Sequence, residues 1–146
     1  MHALRNVSVV AYVLMVGSLV ALVPLHALFS THPVVIACQL AAFALVLWAR
    51  LTFGLRSFHV AATPTRGGLV EAGPYRYIRH PIYGSMWLLG WAGILAHWSL
   101  WPVVCGTVLL GAGLVRMMCE EKLVSERYPE YGAYAQRTWR VVPYVF

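Results

Sequence analysis

Long apolar runs, separated by short turns and one long polar stretch, make up most of the chain. Four of them, 7–29, 33–49, 82–96 and 100–115, stand against the roughly 20 apolar residues that a bilayer-crossing helix needs. The last three are short, and Arg50, Trp98, Trp101 and Arg116 at their ends are residue types that anchor a short span at the interface. The expected fold is all-α: an integral membrane protein with four transmembrane helices. Residues 51–79 are neither apolar nor helical in pattern and contain Pro64, Gly67, Gly68, Gly73 and Pro74, which predicts a loop on the membrane surface. Pro81 suits the first turn of the third helix, where its missing N–H costs nothing. A carboxylate near a helix C-terminus opposes the dipole unless it has a cationic partner or the helix runs on. Glu120 and Glu121 therefore predict that the fourth helix continues through Leu123, Val124 and Arg127 towards Tyr128.

The few charges set an orientation. Lys and Arg number 11, and charged residues make up only 11% of the chain, well under the roughly 25% of a soluble domain. Arg5 precedes the first span, Arg50, Arg56, Arg66, Arg76 and Arg79 lie between the second and third, and Arg116, Lys122, Arg127, Arg137 and Arg140 end or follow the fourth. The opposite turns, near 30–32 and 97–99, have none. The positive-inside rule then predicts that both termini and the long loop are cytoplasmic, at the inner membrane in a bacterium. A net charge of +6 arranged this way points to anionic lipid headgroups, not to nucleic acid. The first run is too long for a signal-peptide core and lacks a small-residue cleavage pattern, so it is expected to be a retained helix. No linker or repeat divides the sequence, which predicts one domain over 1–146.

Cys38, Cys105 and Cys119 have no metal or redox spacing, and no metal or disulfide is expected. Gly106, Gly111 and Gly113 in the fourth run suit close helix–helix approach. Gly111-Ala112-Gly113, the one Gly-x-Gly, lacks the strand–loop–helix setting of a dinucleotide site.

Chemistry is concentrated where the polar stretch meets the third run. Gly73-Pro74-Tyr75-Arg76-Tyr77-Ile78-Arg79-His80-Pro81-Ile82-Tyr83 reads either as an interfacial belt of tyrosines and arginines or as part of a site. Arg116 and Glu120, four apart on one helix face, favour the site, because ionisable groups at the edge of a span are costly without a purpose. Tyr131 and Tyr134 would share a face of a short interfacial helix, either as a lid over the loop or as packing.

This Arg-His-Pro-x-Tyr core, followed by Arg116, the Glu120-Glu121 pair and the tail from Tyr131 to Pro143, resembles the isoprenylcysteine carboxyl methyltransferase family and its prokaryotic relatives over residues 58–146. The resemblance implies methyl transfer from S-adenosylmethionine in a pocket covered by the loop and the C-terminal tail. Matched by motif, the cofactor contacts fall on Gly67, Gly68, Leu69, Val70, Tyr75, His80, Pro81, Ile82, Tyr83 and Glu120, and the acceptor contact on Arg116. Where the family has an amide-bearing contact upstream, this chain has Val60 beside His59. The acceptor is expected to be an amphiphilic or lipid-modified molecule arriving from the bilayer. A carboxylate, oriented by Arg116, is the expected acceptor, as in isoprenylcysteine carboxyl methylation; the alternative, a phospholipid amine or a thiol, would need a base, for which His80 is the nearest candidate. A membrane reductase and a non-catalytic scaffold are the other classes the motif allows.

Overall fold

A computed structural model describes residues 2–54 and 68–146. The described residues form five α-helices and one 3-10 turn: α1 (His2–Ala21), α2 (Pro33–Phe53), the turn Gly73–Arg76, α3 (Pro81–Ala96), α4 (Leu100–Arg127) and α5 (Tyr131–Gln136). Among them there is no strand, and the all-α expectation holds. α1, α2 and α4 are long and apolar enough to cross a membrane, and α3 is an apolar helix of 16 residues. At 1.5 Å per residue α3 spans about 24 Å, so it relies on its flanks to reach across the hydrocarbon.

The helix ends differ from the apolar runs. α1 stops at Ala21, eight residues before the run does, because Pro24 lacks an amide hydrogen and disfavours helix in the residue before it. The chain then turns, with His26 in the left-handed region at φ 51°. Part of the turn is packed: Leu22, Ala27 and Leu28 form a cluster with Ile94. Gln39 and His97 tie it down through hydrogen bonds to the Leu28 and Phe29 carbonyls at 2.5 and 2.9 Å. At its other end α4 runs twelve residues past the apolar run, as its acidic pair predicts.

α1 packs chiefly on α4, α2 on α3, and α3 on α4. The α3–α4 seam is close where glycine allows it: a Cβ at Gly113 would lie 2.7 Å from Trp87 Nε1, and one at Gly106 2.7 Å from Ile94 Cδ1. Gly111 has open space instead. Met15, Tyr83, Leu109, Ala112, Met117 and Val141 fill the core beside this seam. The same connectivity gathers the start of α1, the end of α2, the start of α3 and the last turns of α4 at one end of the bundle.

Candidate active site

His80 is placed by backbone rather than by a cap of its own. Gly73 opens the 3-10 turn at φ 56°, and a Cβ there would lie 3.0 Å from Thr52 Cγ2 and closer still to its hydroxyl, so α2 and the turn meet at a position only glycine fits. The turn leads into residues 77–80, which pair with the C-terminal tail in a short parallel bridge between Ile78 and Trp139. Arg79 and His80 donate their amides to the Trp139 and Arg140 carbonyls at 2.7 and 2.8 Å, and Trp139 donates to Tyr77 at 3.0 Å. Pro81 then begins α3, with Tyr83 one turn from His80 and their rings 5.6 Å apart.

Across from them, α4 presents Arg116, Glu120 and Glu121. Arg116 is buried, at 2% exposure. Its Nη2 lies 3.1 Å from Glu120 Oε1, its Nε donates to Tyr83 Oη at 2.7 Å, and its Nη1 donates to the Ser8 carbonyl and hydroxyl at 3.0 and 3.2 Å. The Tyr12 ring stacks beneath the guanidinium, 4.6 Å from its centroid. Tyr83 donates its hydroxyl to the same Glu120 oxygen at 2.6 Å. Glu120 Oε1 is thus held from two sides. Oε2 has His80 Nδ1 at 3.9 Å, beyond a hydrogen bond.

Glu121 is surrounded differently. Its Oε1 accepts from Arg79 Nε at 3.0 Å and lies 3.2 Å from His80 Nε2, while Arg140 reaches Oε2 at 3.1 Å. That hydrogen bond raises the Arg140 pKa from its ordinary value. Arg79 continues outward, donating to the Ala135 and Thr138 carbonyls at 2.9 and 2.5 Å. Tyr134 donates to the Tyr75 carbonyl at 2.8 Å, and Arg137 pairs with Glu71. Burial pushes the Tyr134 phenol up to about 12. The tail is thereby fastened over the segment that precedes α3.

Those of the residues singled out in the sequence that the structure describes separate into three groups. His80, Tyr83, Arg116 and Glu120 converge. Tyr75 and Pro81 are buried supports: the Tyr75 ring packs 5.3 Å from Phe53, and Pro81 starts the helix. Gly68, Leu69, Val70 and Ile82 are half-buried. Gly67, with His59 and Val60, lies outside the described residues. Sequence reasoning missed Ser8 and Tyr12, whose one signal was polarity inside an apolar run. It also missed the ligation of Glu121, foreshadowed only by an excess of arginines around few acids.

A family model described as phospholipid methyltransferase matches residues 33–131, more than half of the chain. The chain belongs to the phospholipid methyltransferase family. This family and the isoprenylcysteine carboxyl methyltransferases fall within one superfamily of membrane methyltransferases. The match begins at the first residue of α2 and ends at the first residue of α5, so it spans His80, Tyr83, Arg116, Glu120 and Glu121. α1 and the tail lie outside it. No curated protein and no solved structure matches. Membership in the phospholipid methyltransferase family makes this integral membrane protein a methyltransferase, and the converging residues at the ends of α3 and α4 are its candidate active site.

Proposed function

We propose that the chain transfers a methyl group from S-adenosylmethionine to the amine of a phospholipid-like amphiphile at the cytoplasmic face of the membrane. The observation that carries this reading is the state of Glu120: one oxygen is fixed by Arg116 and Tyr83, and the other faces His80 with no hydrogen bond to the described residues. Such a donor set suits the cofactor. A carboxylate held from behind can receive an ammonium, and Leu69, Val70 and Ile82 offer half-buried apolar surface for a flat ring.

S-adenosylmethionine supplies a methyl carbon made electrophilic by its sulfonium. The protein then has to align the nucleophile with that carbon and exclude water. Glu120 would bind the cofactor's ammonium, Arg116 and Tyr83 would keep Glu120 in place, and the tail tied through Arg79 and Arg140 would cover the segment before α3. An amine attacks as its neutral form, forming the C–N bond as the C–S bond breaks, and His80 would take the amine's proton.

The choice of an amine rests on Arg116 as well as on the family. Each nitrogen of its guanidinium already has a partner in Ser8, Tyr83 or Glu120, which leaves little of the fork for an acceptor carboxylate. An acidic amphiphile, as in isoprenylcysteine methylation, is the second reading. It requires Arg116 to exchange Ser8 for the acceptor. The distribution of Lys and Arg supports cytoplasmic termini for either acceptor.

Calorimetric titration of the protein in lipid nanodiscs with S-adenosylmethionine tests the cofactor. Binding is expected for the wild type and loss of at least tenfold in affinity for Glu120→Ala; no wild-type binding would overturn the reading. Radiolabelled methyl transfer to phosphatidylethanolamine, to an S-prenylated cysteine and to a long-chain thiol then sorts the acceptors. Transfer to the prenylated acid alone would replace the amine.

A further inference from the structure

Adjacent on α4, the two glutamates do different work. Glu120 keeps one oxygen without a hydrogen bond to the described residues. Glu121 keeps neither: Oε1 takes Arg79 Nε and the His80 ring, Oε2 takes Arg140 Nη2, and Arg140 Nε lies 3.2 Å from both. Its side chain is only 15% exposed. A carboxylate with its lone pairs so committed has no capacity left for a ligand.

We propose that Glu121 is a positioning residue, which fixes the His80 imidazole with its proton on Nε2 and turns Nδ1 towards the open oxygen of Glu120. An ionised carboxylate can only accept, so the ring nitrogen 3.2 Å from Glu121 Oε1 must donate. In the neutral ring the other nitrogen then carries the lone pair. That nitrogen is Nδ1, and it lies on the Glu120 side at 3.9 Å from Oε2. The two arginines keep Glu121 charged and oriented while it holds the ring. One comes from the segment before α3 and the other from the tail, so docking of the tail and orientation of the ring depend on the same carboxylate. What Nδ1 meets there rests on the function proposed above; the ring's tautomer does not.

The test is nuclear magnetic resonance on the full chain in nanodiscs, with nitrogen-15 histidine and the His80 signals assigned by their loss in His80→Asn. Long-range proton–nitrogen correlation is recorded on the neutral ring. Wild-type His80 is expected as the Nε2–H tautomer. Glu121→Gln, whose amide can donate as well as accept, should give a mixture of tautomers, and Glu121→Asp should retain a larger Nε2–H share. An Nδ1–H ring in the wild type, or an unchanged tautomer in Glu121→Gln, would overturn the assignment. Folding of each variant is read from the remaining histidine signals; if Glu121→Gln fails to fold, Glu121→Ala, which removes the acceptor altogether, serves, with the same mixture expected and an unchanged tautomer again counting against the assignment. Calorimetry on the same samples should show about tenfold weaker S-adenosylmethionine binding in Glu121→Gln. A wild type that shows the Nε2–H tautomer but binds no S-adenosylmethionine would sink the cofactor reading and leave the positioning role standing.

Discussion

Arg116 reaches from α4 to Ser8 on α1, donating from Nη1 to the Ser8 carbonyl at 3.0 Å and to its hydroxyl at 3.2 Å. The two residues are 108 positions apart in sequence, and the contact joins a helix outside the matched family region to the centre of the site. Removing the Ser8 hydroxyl leaves the carbonyl in place, so Ser8→Ala should cost only about 1 kcal/mol. Arg116→Ala strips a partner from Glu120, Tyr83 and Ser8 together and should cost about 3 kcal/mol. Thermal unfolding in detergent checks the ranking. Equal losses would mean that the shared arginine does not hold the cluster together.

Gly73 makes a second, local demand. Its left-handed φ of 56° costs a residue with a Cβ about 1–2 kcal/mol, and that Cβ would strike Thr52, whose hydroxyl is held by the Trp48 carbonyl at 2.9 Å. Gly73→Ala should therefore destabilise the protein and weaken S-adenosylmethionine binding. Adding Thr52→Ala removes the collision but not the dihedral cost, so calorimetry on the double variant should recover only part of the loss.

The Tyr134 phenol is raised to about 12, chiefly by burial. A group whose folded pKa lies above its unfolded value near 10 contributes stability that is complete below pH 10 and lost as pH climbs through 12. The protein should accordingly weaken over that alkaline window. Tyr134→Phe, at a cost of about 1 kcal/mol at neutral pH, should flatten the decline when denaturant midpoints are compared across it. An identical slope in the variant would place the effect on other groups.

Close approach of α3 and α4 depends on Gly113, where a Cβ would lie 2.7 Å from Trp87 Nε1. That nitrogen donates to the Leu109 carbonyl at 3.2 Å. Gly113→Ala should push the indole aside at about 1–3 kcal/mol. Trp87 fluorescence, isolated by comparison with Trp87→Phe, should report a changed environment. Gly111→Ala, at a position with open space, should be nearly silent in both measurements.

Much of this arrangement is legible without coordinates. Pro81 marks the start of α3, and Glu120 beside Arg116 shows that α4 outlasts its apolar run, because in each case chemistry within a few residues decides the outcome. The stop of α1 at Ala21 is harder to read. Residues 22–29 are as apolar as a span, with Leu22, Ala27 and Leu28 packed in a cluster with Ile94 and Val23, Leu25 and Phe29 exposed, and hydropathy does not distinguish such a turn from a helix in lipid. The Glu121 cluster was hidden for another reason. Arg79 and Arg140 lie 42 and 19 residues from it, and the pairing of residues 77–80 with the tail brings them together.

α4 runs unbroken for 28 residues and carries Gly113, Arg116, Glu120 and Glu121 in turn. The seam with α3 and both carboxylates are therefore indexed to one helical pitch, and a rotation of that rod would shift them in concert. For anyone re-engineering acceptor preference, α4 is the chassis to leave untouched. α1, which meets the site through Ser8 and Tyr12, and the tail, which meets it through Arg140, are both registered against that same rod.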